Sequence, residues 1–296
     1  MDYSTQGQRD TQQIWTIVIV LIVIAIVGFA IFWAMQVSEQ NKSIEKEIKP
    51  VIVQKVEERQ PIPENIKDES KLDRKFVNQD QATLFLNNVE AAVQLLTQYV
   101  NVLESDATQV SEYWGKNDKQ DDFEDELKHA NKLLGEILQE WTELKAILND
   151  PSKQKQAYKR SYKISEKVKD VYKHIDDAQV DLLTPYRHIF AEYGKYSKNK
   201  NEQVYLQNVQ PIVAALNNEF NLHKALIPTT LPPADYAKEL NYIQEPLVDA
   251  VENINQKNVA TETKITKIEK YYNKLGKNFN SWYKDNVRAN VIKYYK

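Results

Sequence analysis

The sequence predicts an all-α protein with a single N-terminal transmembrane helix, a spacer, and then one or two antiparallel bundles of about six long helices. Three observations carry this. From Thr11 to Ser38 there is no charged residue. Beyond residue 80, apolar residues recur at alternating steps of three and four, the spacing of one helix face. Glycine is scarce, six against 17 tyrosines, which suits long helices and disfavours tight β-turns and glycine-rich phosphate loops.

Composition narrows the function classes. The 296-residue chain is long enough for an anchor plus one large or two small cores. Its formal net charge of -3 makes it neither a polyanion mimic nor a nucleic-acid-coating polycation, so any charge argument is local. With no cysteine, disulfides, thiol nucleophiles and thiolate metal ligands are all removed.

After an N-terminal tail at 1–13, the transmembrane helix is expected at 14–37, bounded by Ile14 and Trp15 at one end and Trp33 and Met35 at the other. Ile14 to Met35 gives about 33 Å of helix against about 30 Å of hydrocarbon, and its two tryptophans suit the headgroup regions. No A-x-A cleavage site follows, so the expectation is an uncleaved signal-anchor in a single-pass cell-membrane protein. Arg9 alone precedes the span, whereas Lys42, Lys46, Lys49 and Lys55 follow it, which favours a cytoplasmic C-terminal domain. The lack of cysteine pulls the other way, towards an extracytoplasmic one. Residues 38–76 read as a juxtamembrane helix ending at Pro50 and a semi-flexible spacer with Pro61 and Pro63, in which Val51 to Val53 is the only strand candidate.

The region 77–197 is expected to be a three-helix bundle. Its first seam is Ala82, Leu86, Val89, Val93, Leu96, Val100, Leu103, Ala107, Val110 and Trp114. A polar turn at 115–120 precedes a second seam of Phe123, Leu127, Ala130, Leu134, Ile137, Trp141, Leu144 and Leu148. Asn149, Asp150 and Pro151 supply turn and helix-start chemistry, and the third seam runs Ile164, Val168, Val171, Ile175, Ala178 and Leu182 before Pro185. Short connections between long helices imply antiparallel neighbours. Residues 198–296 form a second bundle or extend the first. They contain a helix interrupted at Pro211, a break holding Pro228, Pro232 and Pro233, a seam from Tyr236 to Ile254, and a last seam of Ile265, Ile268, Tyr272, Leu275, Phe279, Trp282 and Ala289.

Catalytic chemistry has little to stand on. Glu126 and His129 show the E-x-x-H spacing that builds half of a di-iron site, but no second such pair exists, and Glu219 with His223 has the wrong spacing for it. No catalytic, cofactor-binding or metal-ligating residue is assigned, and no enzyme activity is expected. Charge segregation is more informative. Nine acidic residues lie between Glu104 and Glu126, while Lys153 to Lys173 holds eight basic residues against two acidic ones. The stretch Lys264 to Lys296 is again basic, and Tyr283, Tyr294 and Tyr295 lie off its main seam. Solvated helix faces account for such stretches in ordinary proteins. A contact with an anionic surface would use Lys155, Lys159, Arg160, Lys163, Lys284, Arg288, Lys293 and Lys296. Three functions are therefore weighed: a membrane-tethered scaffold or adaptor that binds a protein partner or self-associates, an extracytoplasmic module for an anionic envelope polymer or membrane surface, and a helical metal-binding enzyme built on Glu126 and His129. Nucleic acid is disfavoured, because a membrane tether restricts access to it.

Overall fold

A computed structural model of the chain describes residues 79–115, 119–195, 201–289 and 291. Ile14, Trp15, Trp33 and Met35, with the expected span, the spacer and the Val51 to Val53 run, lie outside the described residues. Among those described, every regular element is helical, and no helix is long and apolar enough to cross a membrane.

The helices are α1 (Gln79–Gln109), α2 (Lys119–Ile147), α3 (Gln154–Asp181), α4 (Leu183–Tyr193), α5 (Glu202–Lys224), α6 (Pro233–Asn255) and α7 (Thr261–Tyr283). Helix α7 runs into a π-helical turn at Lys284–Arg288. Gly115, which follows the 3-10 turn Ser111–Tyr113, sits at φ 77°, a left-handed conformation that glycine adopts without steric cost. At the α2–α3 corner the Asp150 side chain accepts from the Ser152 N–H, and Pro151 occupies the first position of a short 3-10 turn, where its missing N–H costs nothing.

All ten residues of the first seam are buried, as are all six of the third. The second departs from expectation at Trp141, which is only partly buried. Its indole N–H donates to the Leu86 carbonyl at 3.1 Å while Lys145 Nζ lies 4.6 Å from its ring centroid, so the ring sits at the rim with a polar partner on each side.

The prolines act differently at each site. The α3–α4 rod breaks at Leu182, three residues ahead of Pro185, because the ring clashes with the carbonyl four residues earlier, at Asp181. The interruption expected at Pro211 is absent: α5 runs through it, as α6 runs through Pro246. Tyr205 and Val209 before Pro211, and Ile212 and Leu216 after it, are all buried on one face, and that packing outweighs one lost backbone bond.

Cross-helix pairs give the register. Glu126 meets His174, Glu136 meets Lys167 and Glu140 meets Lys163, so α2 and α3 are antiparallel. Ser165 meets Tyr283 and Tyr172 stacks on Phe279, so α3 and α7 are antiparallel as well. Leu216 meets Tyr271 and His223 meets Asn278, so α5 and α7 run parallel. Buried residues from Ala82 to Val291 form a single cluster, and residues 201–291 extend the core of the first three helices.

The end of α7 corrects one expectation. Tyr283, placed off the seam from the sequence, is buried, and its hydroxyl bonds Ser165. Phe279, Tyr283, Val287 and Val291 face the core at steps of four, whereas Trp282 and Ala289 are only partly covered. A π turn holds more residues per turn than an α turn, so a step of four keeps its side chains on one face.

Candidate functional site

Two groups of polar side chains stand out from this framework, one sealed inside the unit and one at its surface. The sealed group begins on α5. Its core face continues from Leu216 to Glu219 and His223, both buried although both are ionisable. His223 Nδ1 lies 3.0 Å from Asn278 Oδ1 of α7, and its Nε2 lies 3.2 Å from the Tyr99 hydroxyl of α1. The amide oxygen can only accept, so Nδ1 carries the proton and the Tyr99 O–H donates to Nε2. Gln179 Nε2 of α3 in turn donates to the Tyr99 oxygen at 2.9 Å. Burial pushes the His223 pKa down to about 4 against the smaller opposing effect of Asn278, which keeps the ring neutral.

Beside this relay lie Asp106 of α1 and Glu219. None of their four carboxyl oxygens has a hydrogen-bond partner, and the same holds for Gln179 Oε1 and the hydroxyls of Tyr186 and Tyr272. Gln179 lies beside Glu219, and Tyr272 beside Tyr186, close enough to be felt but without a completed bond by distance and angle. Burial raises Asp106 to about 7. Burial, followed by the nearby Asp106 carboxyl, raises Glu219 well above its ordinary range. Both acids are thereby held protonated far above ordinary carboxyl values. Such a set of neutral acids, phenols and imidazole can hold protons. It is closed to solvent, and its hydrogen bonds tie α1, α3, α5 and α7 to one another.

Lys264 is a buried amine outside this neutral set. Counted from the sequence as the first cation of the C-terminal basic stretch, it is instead fully covered, with Nζ donating to the Tyr205 hydroxyl at 2.5 Å and lying over the Phe190 and Tyr205 rings. The Tyr205 hydroxyl in turn donates a hydrogen bond to the Ile254 carbonyl. Burial lowers the Lys264 pKa to about 8.

The basic residues picked out from the sequence do not form one free face. Arg160 pairs with Glu140 and Glu143 of α2, and Lys163 also pairs with Glu140, at 3.0 Å. Lys167, one turn on, pairs with Glu136 at 2.7 Å. Arg288 pairs with Glu166 and lies over the Tyr162 ring. Lys155, Lys159 and Lys284 are exposed, and Lys293 and Lys296 lie outside the described residues. Burial alone would raise the Glu140 pKa, but Lys163 and Arg160 outweigh it and hold the carboxyl below its ordinary value.

The surface group joins Glu126 and His129 of α2 to His174 of α3, a partner that sequence spacing did not supply. His174 Nδ1 lies 2.5 Å from Glu126 Oε2. His129 Nδ1 lies 2.7 Å from the Asp125 carbonyl, and the two imidazoles stack with centroids 5.4 Å apart and planes 17° apart. Among the described residues, no group of three or more His, Asp or Glu side chains is arranged to hold a metal ion. No known protein family, curated protein or solved structure matches this chain.

Proposed function

We propose that the chain is a membrane-tethered, non-enzymatic α-helical scaffold or adaptor. In this reading residues 14–37 hold it in a bilayer, and the helical unit presents its outer surface on the cytoplasmic side to a protein partner or a second copy. Residues 14–37 support the tether through their charge-free, apolar character, and the lysines that follow them support the cytoplasmic orientation.

The observation that favours a scaffold over a module for anionic polymers or membrane surfaces is the clasp between α2 and α3. Arg160, Lys163 and Lys167 are turned onto Glu136, Glu140 and Glu143, so the centre of the basic stretch neutralises its own neighbour. Ion pairs of this kind withdraw positive charge from the surface.

The two readings separate in a sedimentation experiment with purified residues 77–296. The scaffold reading expects the protein to stay in the supernatant with both anionic and neutral liposomes at physiological salt. Salt-sensitive pelleting with anionic liposomes only, lost when Lys155, Lys159, Arg160 and Lys163 are all changed to Gln, would establish the anionic-surface reading instead. Protease added to intact cells should leave the domain uncut, and protease added to inverted vesicles should digest it.

A further inference from the structure

We propose that His129 and His174 form a binding site for a divalent transition-metal ion of the zinc, copper or nickel class, which would join α2 to α3. The two imidazoles come from neighbouring antiparallel helices and stack with centroids 5.4 Å apart. In each ring Nδ1 already faces an oxygen acceptor, the Asp125 carbonyl for His129 and a Glu126 carboxyl oxygen for His174. A hydrogen on Nδ1, facing these acceptors, leaves Nε2 as the ring nitrogen that offers a lone pair. No described group occupies either Nε2.

A carboxylate or carbonyl behind the second ring nitrogen is the arrangement that orients metal-bound histidines and raises their basicity. The spacing fits as well. Two imidazoles that share one ion at about 2.1 Å per nitrogen and a tetrahedral angle place their ring centroids about 5 Å apart. Because the ring planes are only 17° apart, the two rings must turn towards each other before both in-plane Nε2 lone pairs can meet one ion.

The surroundings fix the class of ligand. His129 is exposed and His174 is partly exposed, so an ion and its waters have direct access. The first turns of α2 carry Asp121, Asp122, Glu124, Asp125 and Glu126, a local negative field that concentrates cations. Imidazole donors select borderline transition ions over calcium or magnesium, which prefer oxygen. With two protein ligands, the remaining coordination positions belong to water, and the affinity belongs to the micromolar class of surface sites.

The test is isothermal titration of the untagged full chain in detergent micelles with zinc sulfate, repeated for His129→Ala, His174→Ala, the double variant, Glu126→Gln and His188→Ala. The expected result is one zinc per chain with micromolar affinity, binding abolished in the double variant and unchanged in His188→Ala. Glu126→Gln should weaken binding about tenfold by releasing the His174 ring. Zinc should raise the thermal midpoint of the parent and leave that of the double variant unmoved. Circular dichroism of the variants should match the parent, since none of the substituted side chains is fully buried. Undiminished one-to-one binding in the double variant, or no heat from the parent at millimolar zinc, would overturn the proposal.

Discussion

At the scale of single residues, the chain places ionisable groups where solvent cannot reach them, and their effects on stability oppose one another with pH. Asp106, with its pKa raised to about 7, keeps its proton in the folded state after the unfolded chain has lost it. Between about pH 4 and 7 the unfolded state thus binds fewer protons, and folding stability falls as pH rises, by up to about 1.4 kcal/mol per pH unit. Glu219 adds a loss of the same sign. His223, lowered to about 4, works the other way: from about pH 6.5 down to 4 the unfolded state binds the extra proton, so stability is lost as pH falls. Asp106→Asn removes the first effect and, with it, the part of the Glu219 shift that the Asp106 carboxyl causes, and it leaves the His223 effect in place. Urea unfolding of parent and variant across this range should show the stability difference shifting in the variant's favour as pH rises from about 4 to 7. Parallel pH profiles would mean that Asp106 ionises normally in the fold.

At the scale of elements, helix formation here is governed by burial of one face. Leu96 lies on the fully buried face of α1, and Trp141 at the rim of α2. An aspartate at 96 would place an unpaired carboxylate in the core at a cost of several kcal/mol, a large part of a total stability of about 5–15 kcal/mol. Leu96→Asp should therefore abolish cooperative melting. Trp141→Ala removes one indole hydrogen bond and a half-covered ring, so it should leave a folded protein with a lower thermal midpoint. Equal melting of the two variants would contradict the depth ordering of the two positions. The same dominance of burial explains why Pro211 and Pro246 sit inside intact helices while Pro185 does not. Near Pro185 the chain has a short alternative, since α4 can restart at Leu183 and still bury Tyr186, Ile189 and Phe190.

At the scale of the whole molecule, residues 82–291 share one buried cluster, so the first three helices do not close their core without the rest. The hydrophobic residues beyond the first 37 are organised in seams, and a chain lacking residues 1–37 should be soluble without detergent and strongly helical by circular dichroism. Obligate detergent dependence of that fragment would argue against the seams as its principal apolar surface. A protein cut after residue 197 should bind hydrophobic dyes, because α1 and α3 would lose their α5 and α7 contacts.

By itself, the sequence determined that the domain is helical, where most of its helices begin and end, and which face of each is apolar. Those properties follow from periods of three and four and from local turn chemistry, as at Asp150 and Gly115, and they require no knowledge of neighbours. Glu219 and His223 were also legible in part, since both continue the spacing of Val209, Ile212 and Leu216. Only the tertiary structure decided what those faces meet. It joined Asp106 to Glu219 across more than a hundred residues, drew Lys264 out of an apparently basic surface, turned Arg160 and Lys163 onto Glu140, and set His174 beside His129. The physical reason is that periodicity specifies orientation around one helix axis, whereas pairing depends on which helices adjoin and in what register, and the buried and cross-helix contacts of the complete fold set both.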